Sequence, residues 1–380
     1  MSDIGIGRGR GVHERWRKRW WIAGGALVVL LVAACGDRGD PSGTTGGATS
    51  APALDLARAE RLVGEEKYAD AAALLEKLAA SAPRDSRPLA LLGFADLQLH
   101  RHEAARVAFE SLRMLAPSDA RAEVGLSRAL ELLGRTDDAE AAMRRALALA
   151  PEDVDVLYGS GQLAARRTQD ARAKDLLLRA LAKEPWSDSA PAAHYALAGI
   201  ATRSGDEATA ARERGLYERT FDWTTRKTAF ERRVATVPND APARRALAAL
   251  WREARDGRRA SEILAPLLAA FPRDARLRVE MAEARELAGD VAGALALDAE
   301  ALRIDGALVA AFRHRASVHL ATGKLADCAE ALEAALDVDP AATSEPALRD
   351  IAKSLAAAAK AKGETAIAER ASQAASRLGG

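Results

Sequence analysis

The chain has 380 residues, more than one compact core normally organises, so it is either several domains or a stack of units that pack only on their neighbours. Aromatics make up 4% while alanine, leucine and arginine abound, which favours helices over sheets. Net charge is +1, and residues 35–380 alone carry 49 basic against 52 acidic side chains, a balance that excludes the electrostatic footprint of a nucleic-acid binder.

At the amino terminus, Arg8, Arg10, Arg15, Arg17, Lys18 and Arg19 precede Trp20–Ala34, 15 uncharged and mostly apolar residues. A basic segment followed by a short apolar run reads as a secretory signal over 1–34. The run falls short of the roughly 20 residues a membrane span needs, which leaves an uncleaved membrane helix as the alternative. It ends in Val32-Ala33-Ala34-Cys35, which resembles the lipobox of bacterial lipoproteins. The resemblance implies cleavage before Cys35, acylation of its sulfur with palmitate-like chains, and a place on a membrane of the bacterial cell envelope. Gly36, in place of aspartate, implies by the enterobacterial sorting rule the outer membrane, facing the periplasm. Residues 35–51 are then the lipidated cysteine and a flexible Gly/Ser/Thr-rich tether, too poor in apolar surface to order itself.

From residue 52 to 187 a pattern repeats. Pro83, Pro117, Pro151 and Pro185 are 34 residues apart. Twelve residues before each stands an alanine (Ala71, Ala105, Ala139, Ala173), and eight before each a large apolar residue (Leu75, Phe109, Met143, Leu177). A small residue recurs earlier in each unit: Ala59, Gly93, Ser127, Gly161. Self-similarity at this period predicts an all-α solenoid of helix pairs. Small residues let paired helices approach, the large one fills the gap to the next pair, and proline ends the second helix. Gly134 and Gly289 suit the left-handed cap between the helices of a pair. The unit resembles the tetratricopeptide repeat (TPR), with about four copies here.

Residues 188–240 break the period, since Pro185 to Pro238 is 53 residues. They read as an irregular helical joint holding one weak unit, with six of the chain's 16 aromatics in or beside it. Those rings either fill the joint or form a docking patch, and the accessibility of Trp223 decides between the two. The pattern resumes over 241–342 in about three units, with Ala248, Ala282 and Ala316 in one small column and Ala260, Ala294 and Cys328 in the other. The large column here reads Leu264, Asp298, Leu332. Asp298 departs from the family, Gly306 replaces the closing proline, and Pro266 lies inside a predicted helix, so this quarter is expected to pack less tightly. Residues 343–380 read as charged capping helices.

Catalytic chemistry is not legible. His100 and His102 have no third ligand at metal spacing, His102-Glu103-Ala104-Ala105-Arg106 misses the zinc-protease helix at Arg106, and no phosphate loop or nucleophile elbow occurs. The reading is therefore no enzyme, no metal and no cofactor. Cys328 has no disulfide partner once Cys35 is lipidated, so a buried, inert thiol is expected. By the resemblance, the first helix of each pair lines the concave side. The partner groove is then expected at Phe94, Gln98, Arg121, Arg128, Tyr158, Gln162, Arg166, Arg245, Arg252 and Arg313. Arginine forks pair bidentately with carboxylates, so the expected partner is a protein or peptide with acidic side chains or a free carboxyl terminus. The overall reading is a lipid-anchored scaffold or adaptor in envelope-complex assembly. The alternatives are a periplasmic chaperone holding clients in the groove and an envelope enzyme with an unrecognised site.

Overall fold

The computed structural model describes residues 51–237, 240–338 and 345–378. The leader expected over 1–34, the expected lipid site Cys35 and the expected tether as far as residue 50 lie outside the described residues. The described chain is helical and forms two compact units, the first ending at Thr236 and the second beginning at Val237.

Among the described residues, the first unit holds five helix pairs: α1 (Ala51–Gly64) with α2 (Tyr68–Ser81), α3 (Arg87–Gln98) with α4 (His102–Leu115), α5 (Ala120–Leu132) with α6 (Thr136–Leu149), α7 (Val154–Arg166) with α8 (Asp170–Lys183), and α9 (Ala190–Arg203) with α10 (Glu207–Thr236). The second holds four: α11 (Ala241–Glu253) with α12 (Gly257–Ala270), α13 (Ala275–Leu287) with α14 (Val291–Ile304), α15 (Val309–Ala321) with α16 (Leu325–Val338), and α17 (Pro346–Lys362) with α18 (Thr365–Arg377). No helix among the described residues is long and apolar enough to cross a membrane.

The repeating columns are the core. Ala71, Ala105, Ala139, Ala173, Ala260, Ala294 and Cys328 have no exposed surface. At Gly93 an added Cβ would lie 2.8 Å from the Phe109 ring, and at Gly161 2.7 Å from Leu177, so the small column is enforced by contact with the large one. Ser127 fits the same column because its hydroxyl donates to the Ala139 carbonyl at 2.8 Å. Each intra-pair turn carries one residue in the left-handed region. Glycine occupies it at 134, 205, 289, 323 and 363, whereas Glu66, His100, Thr168 and Arg255 adopt it at φ 55–60°. Those four side chains bear a cost of about 1 kcal/mol each that glycine avoids. Several first helices start on an aspartate cap: Asp119 accepts from the Arg121 amide, Asp153 from Val156, Asp240 from Ala243 and Asp274 from Leu277.

Where the period breaks, the chain makes a further pair whose second helix is over-long. α10 runs 30 residues, about 45 Å, so its carboxyl half extends past α9. Trp223 has no exposed surface and packs on Trp186 at 5.6 Å between centroids. The joint reading of the aromatics therefore holds at Trp223, and a docking patch built on that ring does not. Lys227 reaches Asp188 at 2.8 Å with both side chains buried. Farther along, Arg232 pairs with Glu66 in the first turn of the unit, so α10 links the fifth pair to the first.

In the second unit Asp298 is fully buried, in the column where Leu264 and Leu332 stand. Pro266 sits within α12 on an exposed face, which spares the core the missing amide.

Candidate functional site

Within each unit the first helix of a pair also packs on the first helix of the next: α3 on α5, α5 on α7, α13 on α15. This row of first helices is the face expected to line the groove, called the inner face below, and the sequence-predicted groove residues separate into three groups on it. Phe94 and Tyr158 are a correction: they are 2% and 1% exposed. Phe94 packs edge-on against Tyr68 at 6.0 Å, and the Tyr158 hydroxyl donates to the Glu184 carbonyl at 2.8 Å. Phe94 thus joins successive pairs, Tyr158 ties α7 to the end of its own partner helix α8, and neither faces a visitor. Gln98 and Gln162 are half-buried.

The six arginines form the third group, and they meet carboxylates of this chain. Arg121 pairs with Asp119 at 2.8 Å. Arg245 reaches Glu280 at 2.6 Å and Asp274 at 3.4 Å. Arg252 pairs with Glu283, which Arg313 also approaches at 3.8 Å while reaching Glu345 at 3.5 Å. Arg166 grips Glu131 through two bonds, 2.9 and 2.8 Å. Most of these partners lie 29–35 residues away, about one repeat. The guanidinium forks are thus first a register device between neighbouring pairs.

One place on the inner face is unbalanced. Arg128 and Arg166 both converge on Glu131, at 3.5 and 2.8 Å. Two cations share one carboxylate, and both guanidinium side chains remain more than a third exposed. Leu132 beside them is 42% exposed and Val124 half-buried, so apolar surface adjoins the spare charge. Chemically, this patch can accept a further carboxylate over an apolar floor.

His100 and His102 place their rings 5.8 Å apart, and among the described residues no group of three or more His, Cys, Asp or Glu side chains could hold a metal ion. Cys328 is buried, and burial pushes its thiol up to about 11. A thiol reagent should leave native Cys328 unmodified and label it fully in denaturant, read by intact mass. Rapid native labelling would show that the small column is open there.

Two family models, each described as tetratricopeptide repeat, match residues 62–128 and 125–188. Residues 62–188 are tetratricopeptide repeats. The same architecture continues through both units, an all-α TPR solenoid. Solved TPR structures resemble it in part. MamA from Desulfovibrio magneticus RS-1 shares 21% identity over 46% of this chain and 97% of its own, with a TM-score of 0.38. TTC0263, a thermophilic TPR protein of Thermus thermophilus, shares 20% over 53% and 98%, TM-score 0.38. PilW, described as a type IV pilus biogenesis factor, shares 20% over 59% and 96%, TM-score 0.41. At these values the likeness carries no functional argument. None of the curated proteins matches this chain. TPR proteins bind protein partners, and the Arg128–Glu131–Arg166 cluster is one place where the array carries more positive than negative charge.

Proposed function

We propose that this TPR protein is a lipid-anchored scaffold or adaptor of the bacterial cell envelope, held through Cys35 and binding a protein or peptide partner along the inner face of its first unit. The observation that carries the binding half is the convergence of Arg128 and Arg166 on the single carboxylate of Glu131. It favours a partner that presents an acidic side chain or a carboxyl terminus, because each guanidinium keeps donors for a second carboxylate. The anchoring half rests on the basic segment, the short apolar run and the Val32-Ala33-Ala34-Cys35 box. A lipid anchor would keep the partner at the membrane surface, the outer membrane by the residue after the cysteine. This is the arrangement an assembly factor for an envelope complex needs.

The two halves are tested separately. The full chain with its own leader should fractionate with membranes, and its mature first residue should carry the mass of an acylated cysteine. Cys35→Ser should release it or leave it unprocessed. Affinity capture of the lipidated protein from its own envelope then supplies the partner. Arg128→Gln with Arg166→Gln should weaken that partner at least tenfold, about 1.4 kcal/mol. The fold should tolerate the change, since each exposed pair contributes about 0–1 kcal/mol. Unchanged affinity removes the inner-face site, and capture of many unrelated apolar peptides would replace the adaptor with a client-holding chaperone.

A further inference from the structure

The repeat pattern puts a large apolar side chain eight residues before each closing position, and in the second unit Leu264 and Leu332 obey it with 0% and 1% exposure. Asp298 occupies the same column between them, fully buried. Its Oδ2 lies 2.7 Å from Nδ1 of His314, which enters from α15 and is 5% exposed. The other ring nitrogen, Nε2, lies 3.2 Å from Glu286 on α13. One imidazole therefore sits between two carboxylates at the junction of α13–α14 with α15–α16. The remaining Asp298 oxygen, Oδ1, is buried without a hydrogen-bond partner. An apolar plug has been exchanged for a set of charges whose balance depends on one proton.

We propose that this junction is a proton-operated joint, closed while His314 is an imidazolium and loosened when it becomes neutral. The inference is independent of what the inner face binds. With the proton in place, His314 donates to Asp298 and to Glu286 at once. Without it the ring has one N–H for two acceptors, so one carboxylate loses its donor and Asp298 remains charged in a site without water access. A buried carboxylate stripped of its nearest counter-charge drives apart the elements that bury it.

The charged groups around the ring give the sign. From α13, Glu286 and Glu283 face it; from α14, Asp298; from α15, Arg315 acts on Asp298, and Arg313 is drawn toward Glu283. Burial pulls His314 down, but the Asp298 bond and the charges of Asp298, Glu286 and Glu283 outweigh it and hold it above its ordinary 6.5. Burial likewise pushes Asp298 above its ordinary value, against the pull of His314 and Arg315. Both groups bind protons more tightly folded than unfolded. Their stabilisation is complete below the unfolded values and is lost as pH rises through the folded ones. His319, one turn on and 3.8 Å from Asp327 of α16, is held below 6.5 by burial, so it acts in the opposite sense but only beneath that value. Above 6.5 the joint's own protons dominate.

Amide hydrogen exchange on the full-length protein reads this directly, corrected for intrinsic rates, between about pH 6.5 and about pH 8.5. Protection across α14 and α15 should fall at least tenfold more than protection across α3–α6 of the first unit. Asp298→Leu with His314→Leu should restore the apolar plug and flatten the dependence. An equal fall in that double variant, or no fall in the wild-type chain, would overturn the proposal. A ring-carbon NMR titration of the wild-type protein needs no variant to fold. A His314 midpoint above 6.5 is expected, and one at or below 6.5 defeats the joint.

Discussion

Lys227→Met should destabilise the first unit by about 3–5 kcal/mol, the range for stripping one partner from a buried ion pair. The ammonium lies 2.8 Å from Asp188 and 3.4 Å from Glu231, with 4% of the lysine side chain and 6% of the aspartate side chain exposed. The Trp223 ring stands 6.0 Å away, so methionine keeps the apolar contact and loses only the charge. What remains is a buried Asp188 carboxylate whose Oδ1 already has no hydrogen-bond partner. Its surroundings are acidic. Asp155 on α7 is pushed up to about 6, chiefly by burial and further by the charges of Asp153, Glu184 and Asp188. Because Asp155 binds its proton more tightly folded than unfolded, its contribution is present below its ordinary 3.8 and lost as pH rises through about 6. The lysine variant should therefore be weakest above about pH 6. Denaturant unfolding followed by Trp223 emission measures the loss. Adding Asp188→Leu should return most of it, because two apolar groups replace a matched pair. Arg226→Ala, which breaks the exposed pair with Asp222 at 2.9 Å, should cost about 1 kcal/mol or less. If Lys227→Met costs no more than Arg226→Ala, the carboxyl half of α10 is not held by this staple.

The solenoid was legible because its determinants repeat. A proline every 34 residues and two columns of small side chains are visible in a single chain, and the core of the first unit is made of those columns. The inner face was legible only in part, because position within a repeat does not fix the direction of a long side chain. Phe94 and Tyr158 occupy inner-face positions, yet Phe94 finds Tyr68 of the preceding pair and Tyr158 the Glu184 carbonyl at the end of its own pair's second helix. The ion pairs of the arginines were hidden for a related reason. Composition made them look available, whereas a search for opposite charge one period away would have found Glu131 for Arg166 and Glu280 for Arg245, each 35 residues off. Asp298 stood out as a departure, but its answer lies 16 residues on, in His314, at a spacing set by how two helices cross and not by any local rule. The staple of α10 was hidden likewise, since Lys227 and Asp188 are 39 residues apart where the period has already broken.

Gly257→Ala should cost the second unit about 3 kcal/mol or more, at or beyond the upper end of overpacking effects. Gly257 is buried at the first position of α12, where Tyr68, His102 and Val291 stand in other pairs. A Cβ there would lie 2.1 Å from the Ala284 carbonyl oxygen, 2.4 Å from the Ala288 amide nitrogen and 2.7 Å from the Leu287 carbonyl carbon. All three are backbone atoms at the end of α13, so no rotamer change relieves the clash. The start of α12 must instead lift away from α13, opening the contacts of Leu264 and Leu267 behind it. Gly125, where a Cβ would meet the Phe109 ring at 2.3 Å, tests a softer neighbour, because a ring can shift where a peptide cannot. Gly215 is the control. It lies mid-helix in α10 with nothing within 4 Å of an added Cβ, so alanine there should stabilise by about 0.5–1 kcal/mol. Denaturant midpoints for the three variants should rank Gly215→Ala above wild type, Gly125→Ala below it and Gly257→Ala lowest. A neutral Gly257→Ala would mean that α12 and α13 are farther apart in solution than close packing of successive pairs requires, and the tight nesting of the second unit would fail at its first junction.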